Sequence, residues 1–233
     1  MATMKSIRGK ALRITKLDEC GNPIAVGPAV VVTKGFVSIQ LSPQYIDGED
    51  TEETNANGDL CIQDKAPDKL KNIEIEATLC EVDFDMVEIM TGQKVLVDAA
   101  GESVGNVFGQ ADEVFFALEV WSDIPGAVCG AGSKPFLYHV LPYIASARLG
   151  DFTVEKTAAT FTFTANTRPG TNWGPGPYNV QMAGTPTAVP APLITPFEDT
   201  DHYAWLRSTV PVPALTDGAV TLALAPGYHT PTP

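Results

Sequence analysis

The chain has 233 residues, and 28 Asp and Glu against 15 Lys and Arg give it a formal net charge of −13. This balance argues against gripping the phosphate backbone of a nucleic acid, because that kind of binding relies on Lys and Arg displacing counterions. The same acidic composition is compatible with a surface along which nucleic acid moves without adhering. The length suits one large all-β domain, or one domain with an appendage.

Targeting signals and metal motifs are not recognisable in the sequence. Residues 1–10 are basic but are followed by no apolar run, and no segment approaches the roughly 18 apolar residues of a membrane span. We therefore expect a soluble protein made in a cytoplasm, with no membrane partner. The cysteines form no CxxC pair and have no His at zinc-ligand spacing, so we expect no bound metal. We expect mostly free thiols, and a disulfide formed after release into an oxidising medium is the alternative. They are Cys20, Cys61, Cys80 and Cys129.

Short alternating or β-branched segments recur along the chain and predict strands. Gly, Pro, Asn and Asp separate them at turn positions, which is typical of antiparallel connections. The pattern predicts a mainly β fold, either a sandwich or a partial barrel. The predicted strands are Leu12–Ile14, Ala29–Thr33, Phe36–Leu41, Ile73–Leu79, Val95–Val97, Val114–Trp121, Phe136–Tyr143 and Thr157–Ala165.

An acidic segment, Asp47–Asp59, lies between two of these strands and contains no Lys or Arg. We predict a long loop that leaves the sheet, and such loops are either functional or disordered because they cost ordering entropy without adding core. The residues just before it, 41–46, carry apolar side chains that a solvated linker does not need. The segment therefore suggests a surface that becomes buried against another molecule.

One segment departs from the β pattern and predicts a short helix. Asp83 suits the N-cap, and Gly92 suits the position after the last helical residue. Phe84, Val87 and Met90 follow at helical spacing. We expect these three side chains to pack the helix on a sheet.

The composition shifts after about Arg168 to a Pro- and Gly-rich sequence unsuited to central strands. We divide the chain into a β-sandwich domain, residues 1–167, and an extended C-terminal segment, residues 168–233. Aromatic side chains persist in the second part and can anchor it either on its own subunit or on a neighbouring one. They include Trp173, Tyr178, Tyr203 and Trp205.

Three motifs resemble functional sites but lack the context that the chemistry needs. Gly101–Gly105 matches the GxSxG pattern around Ser103, and Asp201 and His202 follow in hydrolase order, yet a strand and not a helix is predicted after the serine. Residues 53–64 resemble a calcium loop without its closing Glu, and residues 130–134 resemble a phosphate loop without Walker spacing. The histidines are scattered, so we expect neither an active site nor a cofactor. They are His139, His202 and His229.

Several segments, in order, are similar to the major tail proteins of siphophages that infect actinobacteria. The similarity covers roughly residues 12–206, and it lies in the whole series of segments because no single motif is diagnostic. The segments are Leu17–Pro23, Leu41–Pro43, Asn55–Cys61, Leu79–Met86, Thr91–Gly92, Phe116–Trp121, Leu141–Tyr143, Leu149–Thr153 and Trp173–Tyr178.

The resemblance implies a tail-tube fold, a β-sandwich with one flanking helix that assembles as hexameric rings. In that family four strands of each subunit join into a barrel around the lumen, and a long loop between early strands reaches the adjacent ring. Glu74 and Glu76, which alternate with Ile, are candidates to face the lumen. The candidate ring-stacking residues are Pro43, Tyr45, Ile46, Asp47, Glu49, Asp50, Glu52, Glu53, Asn55 and Asn57.

We therefore expect a non-enzymatic structural protein of the virion tail, assembled in the host cytoplasm, that conducts viral DNA without binding it specifically. Its expected partners are further copies of itself, a tape measure protein, a tail terminator and distal tail or baseplate proteins. The alternative from another class is an adhesion or carbohydrate-binding β-sandwich that uses the aromatic residues of the C-terminal segment. A hydrolase built on Ser103 is the third interpretation.

Overall fold

The structure, a computed structural model, describes residues 7–125, 135–152, 160–170, 172–226 and 228. These residues form sixteen strands and one helix. In chain order they are β1 (Ile7–Leu17), β2 (Pro28–Thr33), β3 (Phe36–Ile46), β4 (Asp50–Thr54), β5 (Leu60–Lys65), β6 (Lys69–Leu79), α1 (Phe84–Thr91), β7 (Lys94–Val97), β8 (Ser103–Val107), β9 (Phe115–Asp123), β10 (Phe136–Ala145), β11 (Arg148–Leu149), β12 (Phe161–Asn166), β13 (Gln181–Ala183), β14 (Val189–Ala191), β15 (Ala204–Ser208) and β16 (Val220–Thr221).

Two antiparallel sheets carry the fold. The larger has the strand order β15-β10-β9-β1-β2-β16, and the smaller has the order β11-β12-β6-β3. Apolar side chains from both sheets and from α1 meet in one core, which includes Ile14, Leu141, Ile75, Phe163 and Met90. This arrangement confirms the predicted mainly β sandwich with one short helix.

The strands are longer than their alternating patterns predicted. β1 extends on both sides of Leu12–Ile14, and β3 and β6 remain paired well beyond Leu41 and Ile73. Alternation reports where one face is buried, whereas backbone pairing continues wherever two strands stay side by side. Of the predicted strand Thr157–Ala165, residues 157–159 lie outside the described residues, and the strand that is described begins at Phe161.

The helix begins and ends where the sequence predicted. The Asp83 carboxylate accepts hydrogen bonds from the backbone amides of Asp85 and Met86, and Gly92 has the left-handed φ of 71°. Its N–H donates to the carbonyl of Glu88, which closes the last turn.

One of the three side chains predicted to pack the helix on a sheet does not do so. Val87 and Met90 are buried, but Phe84 is 41% exposed. The buried stripe is centred near Met86 and Met90, and at about 100° per residue Phe84 falls on the opposite side of the helix. Phe84, Val87 and Met90 have helical spacing, but the three residues do not all lie on the face of the helix that packs on the sheet.

The C-terminal segment covers the face of the larger sheet that points away from the sandwich core. Trp173, Val180 and Phe197 are buried there against Trp121 and Tyr138 of the sheet. Further along, Leu222 packs on a smaller apolar cluster of β1 and β2. The described part of residues 168–228 therefore packs on its own subunit: β15 and β16 extend the edges of the larger sheet, and the residues that cover its outer face form a third layer.

A buried ion pair lies beneath this third layer. Arg13 and Glu119 are directly opposite each other on β1 and β9, and Nε and Nη2 of Arg13 each donate to the carboxylate at 2.6 Å. Tyr138 donates a further hydrogen bond to Oε1 of Glu119. Burial raises the pKa of the Tyr138 hydroxyl well above its usual value, so it remains a donor. Tyr178 of the C-terminal segment lies over the guanidinium, 3.2 Å from its central carbon to the ring centroid.

We predict that Arg13→Met lowers the free energy of unfolding by about 3–5 kcal/mol, because it leaves the Glu119 carboxylate buried without its partner. Adding Glu119→Gln should recover at least about 1 kcal/mol, since it removes that charge and keeps an acceptor for Tyr138. Urea unfolding of the parent, Arg13→Met, Glu119→Gln and the double variant measures these quantities. A double variant as unstable as the sum of the two single variants would contradict a coupled pair.

Candidate functional site

The most exposed part of the protein is a two-stranded projection, residues 43–71, which we call the arm. It contains the ends of β3 and β6 that lie beyond the sandwich core, together with the β4–β5 hairpin. Every arm residue is exposed except the half-buried Gly48. The arm therefore extends from the smaller sheet without packing a face on the body.

The arm corrects the prediction of a long loop, because paired strands run through most of it. β3 pairs with β6 as far as Ile46 and Lys69, and β4 then pairs with β5. At Gly48, an added Cβ would come within 1.7 Å of the Ala66 carbonyl oxygen, so the chain can make this close approach only with glycine. The prediction missed these strands because neither face of the arm is buried, and alternation of burial was the signal used.

Acidic and apolar side chains share the arm surface. Residues 43–71 hold eight acidic residues against three lysines. Large exposed apolar side chains occur on both of its strands: Tyr45, Ile46, Leu60, Ile62 and Leu70. An isolated two-stranded hairpin is marginally stable in water, and clustered exposed apolar groups mark interaction surfaces. The arm therefore has the composition of a segment that another molecule covers.

All ten residues predicted for ring stacking lie on the arm, where they are exposed. Sequence reasoning missed the apolar contribution of the returning strand, Leu60, Ile62 and Leu70. The alternation of Leu60, Cys61 and Ile62 was the signal that could have found it. The structure thus brings the predicted residues together on one projection and adds a second apolar edge to it.

The outer face of the smaller sheet is polar. Glu74 and Glu76 are exposed on it and alternate with the buried Ile73 and Ile75. Each glutamate lies opposite short polar residues on both neighbouring strands. Among the described residues of the four strands, Arg148, opposite Thr164, is the one cation on this face. The other residues of this face are Ser38, Gln40 and Ser42 on β3; Glu74, Glu76 and Thr78 on β6; and Thr162, Thr164 and Asn166 on β12.

Within the described residues, no further strand pairs with either edge of this sheet. β3 forms one edge, and the two-residue β11 forms the other and covers only part of β12. Unpaired strand edges are templates for association with another chain, and proteins usually cover or charge them. The smaller sheet therefore has one polar face and two edges that suit extension into a larger sheet.

The other motifs have structural roles in the described residues. Ser103 begins β8, which pairs with β7 in a hairpin, and its hydroxyl donates to Asp85 at 2.7 Å. In the calcium-like segment, Oδ1 of Asn55 instead accepts the backbone amides of Asn57 and Asp59, which shapes the hairpin turn. The phosphate-loop-like residues 130–134 lie outside the described residues.

The titratable side chains of the described residues form no metal centre. No group of three or more His, Cys, Asp or Glu there could hold a metal ion. Nδ1 of His202 lies 2.7 Å from the Thr167 hydroxyl oxygen, and burial lowers the pKa of His202 below its usual value. Cys20, Cys61 and Cys80 are free and exposed. His229 and Cys129 lie outside the described residues.

The aromatic residues of the C-terminal segment differ in accessibility. Trp173 is 2% exposed, and Tyr178 is occupied by the Arg13 guanidinium, so neither presents a free ring face for a ligand. Trp205 on β15 is 56% exposed, beside the half-buried Tyr203. Of the four rings offered for carbohydrate binding, the structure leaves the Tyr203–Trp205 pair accessible.

The functional interpretation rests on the geometry of the structure, because the comparisons with known families and curated proteins give no match. A scan against known protein families finds no match, and a search of curated proteins finds no similar sequence. Within the described part of the chain, no helix has the length and apolar character needed to cross a bilayer. The arm and the outer face of the smaller sheet are the two surfaces for which the sequence resemblance predicted a role in assembly.

Proposed function

We propose that this chain is a structural subunit of a siphophage tail, which polymerises as stacked, hexameric rings into the tube that conducts viral DNA. The observation that carries the proposal is the exposed arm, which extends from a four-stranded sheet at one end of its paired strands β3 and β6. The resemblance implies two such parts. One is a set of four strands that forms the tube wall, and the other is a long loop that reaches the next ring.

Ring formation follows from the open edges of the smaller sheet. If β3 of one subunit pairs along the edge that β11 and β12 form in its neighbour, the sheets join into a continuous barrel and the exposed edges disappear. Such an interface joins two different surfaces of identical subunits, and it gives a ring when the rotation between neighbours closes on itself. The buried face of each sheet still packs on its own sandwich, so the fold of the subunit is unchanged.

Stacking of the rings is the role of the arm. Contact with the next ring would bury Tyr45, Leu60 and Ile62, which water surrounds in the separate subunit. Because an arm at one end of a subunit contacts the opposite end of the next, the interaction is not self-limited along the axis. Rings joined in this way grow into a filament, and its length must be set by other proteins, such as a tape measure protein and a tail terminator.

The polar face of the smaller sheet would then line the bore. This face presents hydroxyl and amide groups, two glutamates per subunit and few cations. DNA phosphates would therefore find few positive side chains to replace their counterions. Like charge on the wall and the cargo disfavours adhesion and keeps the polyanion mobile. In this arrangement the protein acts by shape and electrostatics, in the virion tail, without catalysis or a cofactor.

We predict that replacing residues 50–65 by Asn-Gly leaves a folded subunit that forms no long tubes. The backbone N–H of Ala66 already donates to the Glu49 carbonyl at 2.9 Å, so a two-residue turn can close the shortened arm. Circular dichroism measures folding, and negative-stain electron microscopy measures tube length.

A milder pair of substitutions separates apolar contact from arm length. Leu60→Ser with Ile62→Ser should also shorten tubes, whereas Val189→Ser, at a similarly exposed apolar site on β14, should not. Tubes of parental length from the variant without residues 50–65 would overturn the stacking role of the arm.

We predict that Glu74→Lys with Glu76→Lys permits tail assembly but slows genome ejection, because lysines on the wall attract DNA phosphates. The defect should be largest at low salt, where screening is weakest. Ejection in vitro, followed by fluorescence of released DNA at two salt concentrations, measures the effect. Glu102→Lys with Glu198→Lys, at two exposed acids outside this sheet, is the matched control. Ejection at the parental rate from the first variant at low salt would contradict a lumenal position for these glutamates.

A further inference from the structure

The β7–β8 hairpin, residues 94–107, lies at the opposite end of the subunit from the arm. The arm leaves the N-terminal end of β6, whereas α1 follows its C-terminal end, Leu79. Residues 72–79 of this strand span roughly 23 Å at the usual rise of a β-strand. The hairpin is joined to the beginning of α1, because Nδ2 of Asn106 donates to the Phe84 carbonyl at 2.9 Å. It therefore belongs to the end of the subunit that the arm does not occupy.

One face of this hairpin is turned to the helix, and the other is turned to solvent. Val95 and Asn106 lie opposite each other on the helix side. By alternation, Leu96 and Val107 lie on the outer side, where they are 45% and 47% exposed. Gly105, opposite Leu96, adds no side chain to this outer side. We call the outer side the hairpin face, and its members are Lys94, Leu96, Gly105 and Val107.

The hairpin face resembles the arm in its apolar character and complements it in charge. Its one charged side chain is that of Lys94, which forms no ion pair with any described residue. The acids of the hairpin, Asp98 and Glu102, lie at its turn, where Oδ1 of Asp98 accepts two backbone amides. The arm presents exposed apolar side chains and an excess of acids. Contact between the two surfaces would remove apolar area from water on both sides and place Lys94 near carboxylates.

A cleft of about 450 Å³ adjoins the base of the hairpin. Phe108, the residue that follows β8, lines this cleft and is 55% exposed. Gln93, just before β7, and Leu149 of β11 form other parts of its wall. A projecting aromatic or aliphatic side chain therefore has a recess to enter beside the hairpin face.

Head-to-tail stacking brings the two ends of the subunit together. In a stack built by one repeated operation, every arm points to the same end of the tube, so it meets the end of the next ring that carries α1 and the β7–β8 hairpin. We propose that the hairpin face and the cleft beside it are the docking surface for the arm of a second copy of this chain in the adjacent ring. This inference rests on the proposed function, which has the arm contact the next ring without assigning the surface that receives it.

Substitutions on the hairpin face test the docking surface without changing the arm. Leu96→Ser with Val107→Ser should abolish long tubes and leave rings, because the edges that join subunits within a ring belong to the smaller sheet. The matched control is Met182→Ser with Ile194→Ser, at two exposed apolar sites of the C-terminal segment, and it should form tubes of parental length. Circular dichroism measures folding, and negative-stain electron microscopy measures the numbers of tubes and rings.

Cross-linking through the native Cys61 identifies the occupant of the hairpin face. This thiol is exposed on the arm, and it is made the one thiol of the chain by replacing the other cysteines with Ser. Adding Val107→Cys and a short bismaleimide to assembled tubes should give a ladder of covalent products that extends beyond the subunits of one ring, because each arm reaches the next ring. Ile194→Cys in the same background should give no such ladder. The cysteines replaced are Cys20, Cys80 and Cys129.

The outcomes separate this inference from the proposed function. Long tubes from Leu96→Ser with Val107→Ser, in a protein whose parent needs the arm to form tubes, would overturn the docking surface and leave the stacking role of the arm intact. A ladder that stops at the subunits of one ring would overturn it by placing the contact within a ring. Tubes that form normally but give no ladder would overturn it by assigning the hairpin face to another partner. A parent chain that forms no tubes would contradict the proposed function, and this inference with it.

Discussion

The buried ion pair between Arg13 and Glu119 is the constraint on which the three-layer arrangement depends. Two charges in the middle of the larger sheet are tolerable only when every donor and acceptor around them is satisfied and water is replaced by protein. Glu119 meets this condition through Arg13 and Tyr138, and Tyr178 of the C-terminal segment closes the site over the guanidinium. The Pro- and Gly-rich segment is therefore part of the core, and the hydrogen bond between Tyr178 and Thr15 ties it to β1.

This constraint decides which surfaces remain for assembly. One face of the larger sheet is covered by the smaller sheet and the helix, and the other is covered by the C-terminal segment. None of the residues that the structure describes forms such an outer layer on the smaller sheet, and its outer face is polar, as a water-facing surface should be. The arm leaves the same sheet, so a single pair of strands, β3 and β6, can serve both a polar wall and a contact with the next subunit. The proposed tube uses this uncovered layer as its wall.

Local features were predictable from the sequence, and features that depend on pairing across the chain were not. The helix boundaries followed from Asp83 and Gly92, because capping involves neighbouring residues. The exposure of Glu74 and Glu76 followed from their alternation with Ile. In contrast, Arg13 and Glu119 are 106 residues apart, and only the register of β1 and β9 brings them together. The arm was recognised as a projection from its acidic composition, but its strands were missed because nothing buries either face. The difference between Trp173 and Trp205 is likewise set by the third layer, which no local pattern encodes.

A helical reconstruction of the assembled full chain by cryo-electron microscopy tests the central claim most directly. It should show a tube whose wall is a continuous barrel formed by β3, β6, β11 and β12 of successive subunits, with Glu74 and Glu76 facing the bore. Each arm should lie against a subunit of the adjacent ring, with Ile62 buried. A protein that remains monomeric under all assembly conditions, or a tube with these glutamates on its outer surface, would contradict the proposed function.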